Sequence, residues 1–293
     1  PVLSDKRIFL TGVKEGRLVT LAYEKATGKL AWRREAPEVP LEKVHEANSH
    51  AAPTPVVDGN RVYVYFGSYG MLCYDHDGKE LWKRARKDVP TWGTPTIVEH
   101  EGKTQILVNG WHHTGAYDFE SGEEIWKLQG GGDIPVPTPV TAHGNVFLSN
   151  AHGRHSPMRA VRLSARGEIT LRKVDDTSEH IPWVHGRKGA YMATPIVVGK
   201  NLYSCDGGGV LTCFDAVSGE IHYRERIGQG GGGFSASPVS DGRHLFFAGE
   251  TGKVFVVNSP LAGANMPATR LGAAGIGTTS PTETTDSTSW VQI

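Results

Sequence analysis

A glycine followed four residues later by a large apolar side chain occurs five times in this chain, and this spacing constrains the fold more than any other feature. The pairs are Gly28/Trp32, Gly78/Trp82, Gly122/Trp126, Gly167/Leu171 and Gly219/Tyr223. An apolar run that ends in an acidic residue precedes several of these glycines, as in Ala116-Tyr117-Asp118 before Gly122. An acidic side chain that accepts backbone N–H bonds, a glycine with positive φ and a departing strand together predict a β-hairpin.

A second periodic element precedes each hairpin and contains a proline at the entry of a short apolar run. The markers Pro55, Pro95, Pro139, Pro195 and Pro238 are separated by 40, 44, 56 and 43 residues. A proline at the start of a strand costs no interior ladder bond. Units of this length have room for four strands each, and no amphipathic helix separates them, so the pattern favours a β-propeller over a sandwich or an αβ solenoid.

We therefore predict an all-β protein, a β-propeller of four-stranded antiparallel blades with about six blades visible. The units are a partial blade at 8–35, full blades at 51–84, 93–128, 137–173 and 193–227, and a partial blade at 236–258. The first unit lacks an obvious innermost strand, so an incomplete ring stays open as an alternative. Residues 1–262 form the predicted propeller. Residues 263–293 are rich in Thr, Ser, Gly and Ala, which predicts a mobile low-complexity tail.

Charge and composition exclude several classes of partner. The chain has 31 basic and 31 acidic residues, so nothing indicates nucleic acid or an anionic membrane surface, and no apolar run is long enough to span a membrane. Cys73, Cys205 and Cys213 are expected to be small buried strand residues. A bridge between Cys205 and Cys213 is open if the strand register places them opposite each other. The chain starts at Pro1 without a signal peptide, as a mature exported protein or a fragment would.

The Thr/Ser-Gly-Lys/Glu turn followed by Trp, with Ala-aromatic-Asp before it, resembles the repeat of pyrroloquinoline-quinone (PQQ)-type propellers. That family includes quinoprotein alcohol dehydrogenases and the barrel-assembly lipoprotein of the bacterial outer membrane, and residues 8–258 are similar to its secreted bacterial members. The resemblance implies a periplasmic or secreted location. Quinone dehydrogenases pair a vicinal disulfide with the quinone, and this chain has no Cys-Cys pair. We therefore expect no cofactor.

Loops that join the second and third strands of a blade, and loops that join successive blades, are predicted to open on one side. That side collects eight of the thirteen histidines. The candidate ligand-binding residues in these loops are His50, Trp92, Trp111, His112, His113, His152, His155, Trp183, His185 and Arg187. Indole rings stack on sugars or other flat apolar groups, and His or Arg side chains donate hydrogen bonds, so the pattern indicates a ligand or partner face with carbohydrate as the favoured small molecule.

Other uses of the same face stay open at this point. One alternative is an enzyme, either a His-based polysaccharide-cleaving activity or a degenerate quinoprotein oxidoreductase. A structural or assembly scaffold that binds a protein partner is another. A metal site is disfavoured because His112 and His113 are adjacent and would point to opposite sides of a strand. The alternative for each histidine is a purely structural role, in which it makes a hydrogen bond within or between blades.

Overall fold

The computed structural model describes residues 1–46, 48–89, 91–130, 135–151, 155–227 and 233–259, and all regular elements in these ranges are β-strands. They form six sheets in chain order. The predicted tail at 263–293 lies outside the described residues.

The sheets are numbered from the amino terminus. Sheet 1 contains β1 (Val2–Leu3), β2 (Arg7–Lys14), β3 (Arg17–Glu24) and β4 (Leu30–Glu35). Sheet 2 contains β5 (Val56–Asp58), β6 (Arg61–Phe66), β7 (Gly70–Asp75) and β8 (Glu80–Ala85). Sheet 3 contains β9 (Thr96–His100), β10 (Lys103–Val108), β11 (His113–Asp118) and β12 (Glu124–Gln129), with β16 (Gly167–Glu168) as a fifth strand.

The remaining three sheets follow the same plan. Sheet 4 contains β13 (Val140–Ala142), β14 (Asn145–Ser149), β15 (Met158–Arg162) and β17 (Trp183–His185). Sheet 5 contains β18 (Ile196–Val198), β19 (Asn201–Cys205), β20 (Val210–Asp215) and β21 (Ile221–Arg226). Sheet 6 contains β22 (Val239–Ser240), β23 (His244–Ala248) and β24 (Val254–Asn258). Four-stranded antiparallel sheets in series confirm the predicted propeller architecture.

The second and third strands of a sheet are buried on both faces because they lie between neighbouring sheets. In sheet 2, β6 and β7 have almost no exposed residue, whereas β8 alternates between exposed and half-buried positions. The cores accordingly bridge sheets: one cluster of buried residues joins Tyr63 and Cys73 of sheet 2 to Ile106 and Tyr117 of sheet 3. Stability therefore comes from sheet-to-sheet contacts rather than from one central core.

The turn between the third and fourth strands has the structure that the sequence predicts. Asp118 Oδ1 accepts the backbone N–H groups of Glu120 at 3.1 Å and Ser121 at 2.8 Å, and Gly122 has a φ of +69°. Asp215 makes the same bonds in sheet 5, to Val217 at 2.9 Å and Ser218 at 2.7 Å. The hydrogen bonds from Ser218 hold the pKa of Asp215 below its usual value.

The turn glycines of sheets 2, 3 and 5 each pack against a tryptophan of the preceding sheet. A Cβ at Gly78 would be 2.8 Å from the Trp32 ring, one at Gly122 would be 2.5 Å from Trp82, and one at Gly219 would be 2.4 Å from Trp183. The three indole N–H groups donate to carbonyls of the covered turns, namely those of His76 at 2.9 Å, Phe119 at 3.3 Å and Ala216 at 3.2 Å. The Gly/Trp repeat is thus a packing contact between sheets.

The structure corrects the predicted sheet 4. The prediction placed its outer hairpin at Gly167/Leu171, but Gly167–Glu168 pairs in parallel with Trp126 and Lys127 of sheet 3. The fourth strand of sheet 4 is instead Trp183–His185. The prediction from the spacing was wrong here because the chain between β15 and β17 lacks the Asp turn, and its short strand β16 pairs with sheet 3.

The same irregularity leaves Trp126 without the contact that the other tryptophans make. Its indole N–H is buried and has no hydrogen-bond partner in the described part of the chain. The carbonyl of Leu163, which follows β15 as Phe119 follows β11, accepts from Gln105 Nε2 at 3.0 Å instead. A Cβ at Gly167 would have no atom of the described residues within 4 Å, so no ring among them covers this glycine.

The prediction for sheet 1 was also incomplete, because Val2–Leu3 provides the innermost strand that the sequence did not reveal. At the other side of this sheet, Gly28 has no atom within 4 Å of the position that a Cβ would take. None of the described residues therefore covers this turn as Trp32 covers Gly78.

The three cysteines are buried and free. The register pairs Cys213 with Tyr203 and Cys205 with Leu211, so the cross-strand bridge left open by the sequence is not formed. Burial raises the pKa of both thiols to about 12.

Candidate functional site

The antiparallel order gives the row of sheets two different faces. Loops between second and third strands, and loops between successive sheets, are at one end, which we call the loop face. The turns between first and second strands and between third and fourth strands are at the other end, which we call the turn face. Short polar bonds hold the first strands together near the loop face, including Thr96 Oγ1 to the Pro139 carbonyl at 2.7 Å and Thr138 N to Thr194 Oγ1 at 3.1 Å.

Five of the predicted site residues lie in loops of the loop face and reach its surface. His112, His155 and Arg187 are exposed, and Trp92 and Trp111 are half-buried. Ser156 and Arg187 form an isolated β-bridge, so the segments that carry His155 and Arg187 run side by side. His152 lies outside the described residues.

His50 also lies in a loop of this face, between sheets 1 and 2, but its ring is engaged within that loop. His50 is half-buried, and its Nε2 makes a hydrogen bond with the backbone carbonyl of Glu42. The carboxylate of Glu42 in turn accepts from Ser68 Oγ at 2.7 Å. These bonds connect the loop to the β6–β7 turn of sheet 2.

Trp183 and His185 are placed differently from the prediction, which put them in a loop between blades. They belong to β17, and Trp183 is 5% exposed because it covers Gly219. His185 Nε2 bonds the Gly219 carbonyl at 2.7 Å, as Arg34 Nε and Arg84 Nε bond the carbonyls of Gly78 and Gly122. Both side chains therefore stabilise a contact between sheets 4 and 5.

His113 belongs to a buried polar network at the junction of sheets 2 and 3. Its Nε2 lies 3.1 Å from Glu124 Oε1 and 3.3 Å from the Tyr117 hydroxyl. The Tyr117 hydroxyl donates to the same carboxylate oxygen at 2.9 Å and accepts from Arg86. Glycine at position 115 allows the Tyr117 hydroxyl to lie close to the backbone, because a Cβ there would be 3.1 Å from the hydroxyl oxygen.

The centre of this network is an ion pair that is closed to solvent. Arg86 Nη2 lies 3.1 Å from Asp88 Oδ2, and the two side chains are 1% and 0% exposed. The guanidinium lies 5.5 Å from the ring centroids of both Tyr65 and Tyr117. Thr91 Oγ1 donates to the Tyr65 hydroxyl at 2.8 Å, which extends the network into the loop between sheets 2 and 3.

Electrostatics keep the buried Arg86 charged. Burial by itself lowers the pKa of Arg86, but Tyr65, Tyr117 and Asp88 outweigh it and the pKa is raised. Burial also favours a higher pKa for Glu124, yet hydrogen bonds from His113 and Tyr117 hold it below its usual value. Burial raises the pKa of Tyr65 to about 12, so its hydroxyl is neutral at physiological pH.

The ion pair fixes the loop that carries Trp111 and His112. Arg86 Nη2 donates to the His113 carbonyl at 2.6 Å, and Asp88 Oδ1 accepts the His112 backbone N–H at 3.0 Å. Gly110 is packed so closely against the pair that a Cβ there would be 2.4 Å from Asp88 Oδ2. The buried Arg86–Asp88 pair, which we call the anchor, therefore holds the β10–β11 loop at His112 and His113.

Sequence reasoning missed this anchor. Arg86 and Asp88 lie in a linker outside the periodic elements, and the repeat assigns Tyr117 and Glu124 only to packing and surface positions. The available signal was local: Gly110 and Gly115 flank the His112-His113 pair, and glycines inside strands or at their ends often mark close approach of another group.

The described residues do not fit the quinone and metal chemistry of the dehydrogenases that share this repeat. Cys73, Cys205 and Cys213 are unpaired and lie on separate strands. Among the described residues no group of three or more His, Cys, Asp or Glu side chains could hold a metal ion.

Nor does the described part of the chain contain a helix long and apolar enough to cross a membrane.

The fold and the repeated Gly/Trp contact define the class: this is a β-propeller of the PQQ-like repeat type. Residues 1–191 match the family described as outer membrane protein assembly factor BamB, and the chain belongs to that family.

Solved structures with the same fold share little sequence with this chain. BamB from Moraxella catarrhalis has a TM-score of 0.58 at 14% identity, covering 86% of this chain and 74% of that one. The computationally designed protein Ika8 has a TM-score of 0.53 at 11% identity, covering 87% and 72%. Quinohemoprotein alcohol dehydrogenase ADHIIG from Pseudomonas putida HK5 has a TM-score of 0.54 at 12% identity, covering 84% and 55%. At these identities the likeness shows the fold alone.

A curated phosphoglucosamine mutase from Hydrogenovibrio crunogenus is 26% identical over 128 residues, which are 40% of this chain and 28% of that protein. This chain thus spans less than a third of that relative, and the likeness shows neither a shared family nor an activity.

Proposed function

We propose that this chain is a protein-binding module of outer-membrane protein assembly, located outside the cytoplasm, and that its loop face contacts the partner. The family description, outer membrane protein assembly factor, supports the process and the location. The observation that carries the choice of face is the buried Arg86–Asp88 anchor beneath Trp111 and His112. A loop held in one conformation loses little entropy when a partner binds it.

The side chains that reach the surface of the loop face have the composition of a protein interface. Aromatic residues, methionine and arginine are enriched at such interfaces, and the face presents Trp92, Trp111 and Arg187. In the loop between sheets 4 and 5, Tyr191 and Met192 add apolar surface, with 36% and 42% of each residue exposed. Trp183 and His185 are left out of the proposed face because they serve the contact with Gly219.

Site-specific photocrosslinking tests this proposal in a Gram-negative cell envelope. A photoreactive phenylalanine analogue replaces Trp111 in one variant and Val217 in a matched control. Val217 is 54% exposed but lies in the β20–β21 turn on the turn face. We expect a discrete adduct with one envelope protein from position 111 and none from position 217.

An adduct from position 217 alone would contradict the proposed face. The carbohydrate favoured by the sequence is tested with the same protein, because a sugar in contact with Trp111 would change its fluorescence. Saturable quenching by envelope oligosaccharides, lost on Trp111→Phe and without a protein adduct, would replace the protein partner by a sugar ligand.

A further inference from the structure

The turn face carries a cleft of about 430 Å³ at the junction of sheets 1 and 2. The β1–β2 turn, with Ser4 and Lys6, forms one wall together with Arg7, and Gly59, His76 and Asp77 of sheet 2 form the other. The volume is in the range of small-molecule sites. This cleft is at the opposite end of the molecule from the proposed partner face.

Two nitrogen atoms beside the cleft have no hydrogen-bond partner among the described residues. The side chain of Arg7 is only 23% exposed. Its one charged contact within the described part of the chain is Asp77 Oδ1 at 3.6 Å, and the Asp77 side chain is itself 89% exposed. Arg7 Nε is buried and unbonded within the described residues, and so is His76 Nε2. A guanidinium offers five donors in a planar fork, so an arginine this buried normally satisfies several of them.

The repeat supplies a comparison, because Arg61 has the same position in sheet 2 that Arg7 has in sheet 1. Each arginine begins the second strand of its sheet and faces the Asp turn of the next sheet. The Arg61 side chain is 22% exposed, nearly the same as that of Arg7. Arg61, however, bonds the Phe119 carbonyl at 3.3 Å and the Glu120 carboxylate, and it lies 5.3 Å from the centroid of the Phe119 ring.

The two junctions differ in the turn that faces the arginine, which is one residue shorter in sheet 2 and carries His76 and Asp77 where sheet 3 has Phe119 and Glu120. Phe119 of sheet 3 corresponds to His76 of sheet 2, since each follows the aspartate of its turn. Phe119 packs on Tyr63 with ring centroids 4.8 Å apart and fills its junction. His76 packs on Phe9 with ring centroids 5.1 Å apart, but its smaller ring leaves the cleft beside it open, and its Nε2 has no hydrogen-bond partner among the described residues.

We propose that the cleft between sheets 1 and 2 binds a small oxyanion, a carboxylate or a phosphate, through the guanidinium of Arg7 and the imidazole of His76. A planar guanidinium forms two parallel hydrogen bonds with either group, and a neighbouring ring nitrogen supplies a third donor. Ser4 and Lys6 at the wall add a hydroxyl and a second positive charge, while Asp5 on the same wall contributes a negative charge. The exposed carboxylate of Asp77, at 3.6 Å, is the contact that the ligand would displace.

Thermal unfolding of the purified chain with sodium phosphate, sodium succinate or sodium chloride at constant ionic strength tests this site. We expect phosphate or succinate to raise the melting temperature saturably, with chloride as the reference. Arg7→Met and His76→Phe should each weaken the apparent affinity at least tenfold. The matched control Arg61→Met removes an arginine from the sister junction and should leave the affinity within twofold of the parent.

Whichever anion saturates the site identifies the functional group of its ligand. A rise that is the same in the parent and in Arg7→Met would overturn the proposal, because it would be a general salt effect on stability. Equal weakening by Arg61→Met would overturn it as well. If Arg7→Met does not fold, Arg7→Lys carries the test, since it keeps the charge and loses the planar fork. A failure here leaves the crosslink from position 111 unaffected.

Discussion

The turn face and the loop face of this propeller are stabilised in different ways. On the turn face one contact is repeated: a tryptophan covers a glycine at Gly78, Gly122 and Gly219. On the loop face the Arg86–Asp88 pair lies at the junction of sheets 2 and 3, whereas the residues that directly follow the last strands of sheets 1, 4 and 5 are Ala36, Gly186 and Ile227 rather than arginine. The repeated contact explains how sheets stack, whereas the unrepeated one fixes a single loop. Specific function is expected where the repeat is broken.

The largest effect is expected from breaking the unrepeated anchor. Asp88→Ala leaves the Arg86 charge buried without its partner, so the free energy of unfolding should fall by about 3–5 kcal/mol. Urea unfolding measures the change. The double variant Arg86→Met/Asp88→Leu should recover part of the loss, because it removes both charges together. A loss below about 1 kcal/mol for Asp88→Ala would mean that water reaches the pair.

A somewhat smaller effect is expected from one copy of the repeated contact. Gly122→Ala adds both the strain of positive φ and a clash with Trp82, so we expect a loss of about 3 kcal/mol. Gly144→Ala is the matched control: Gly144 has a φ of +73°, but a Cβ there would have no atom of the described residues within 4 Å, so only the strain of about 1 kcal/mol applies. Equal losses at the two glycines would show that the tryptophan cover contributes nothing.

A pH-dependent effect is expected at the solvent side of the anchor. The pKa of Glu124 is lowered in the folded protein, so its contribution is present above the ordinary pKa of a glutamate and is lost as pH falls through the lowered value. Glu124→Gln should therefore be less stable than the parent at pH 6, and the difference should shrink towards pH 3. Urea midpoints at several pH values measure it. A difference that is constant with pH would contradict the assigned hydrogen bonds from His113 and Tyr117.

The repeated contacts of the turn face could be predicted from the sequence, whereas the unrepeated features could not. The turns at Gly78, Gly122 and Gly219 were predictable because an aspartate three or four residues before the glycine and a large aromatic residue four residues after it determine a local structure. The predicted hairpin at Gly167 was wrong for a physical reason. Leu171 has the spacing of the repeat, but strand pairing depends on tertiary contacts, and this segment pairs with sheet 3. Trp183 likewise occupies a repeat position that its sequence neighbours do not reveal.

The candidate site was less predictable than the fold. Trp111, His112 and His155 lie in loops as predicted, because loop position follows from strand order. Asp88 and Glu124 could not be predicted, since a buried polar network depends on side chains that meet across two sheets and leaves no periodic trace. A glycine such as Gly110 indicates that another group packs closely against the backbone, but the sequence does not show which group that is.

The most direct test of the central claim is the affinity of the crosslinked partner for two variants of the purified chain, measured by isothermal titration calorimetry. Trp111→Ala on the loop face should weaken binding at least tenfold while circular dichroism shows an intact fold, and Val217→Ala on the turn face should leave binding within twofold. Unchanged affinity for Trp111→Ala together with a large loss for Val217→Ala would contradict the account and move the partner to the turn face.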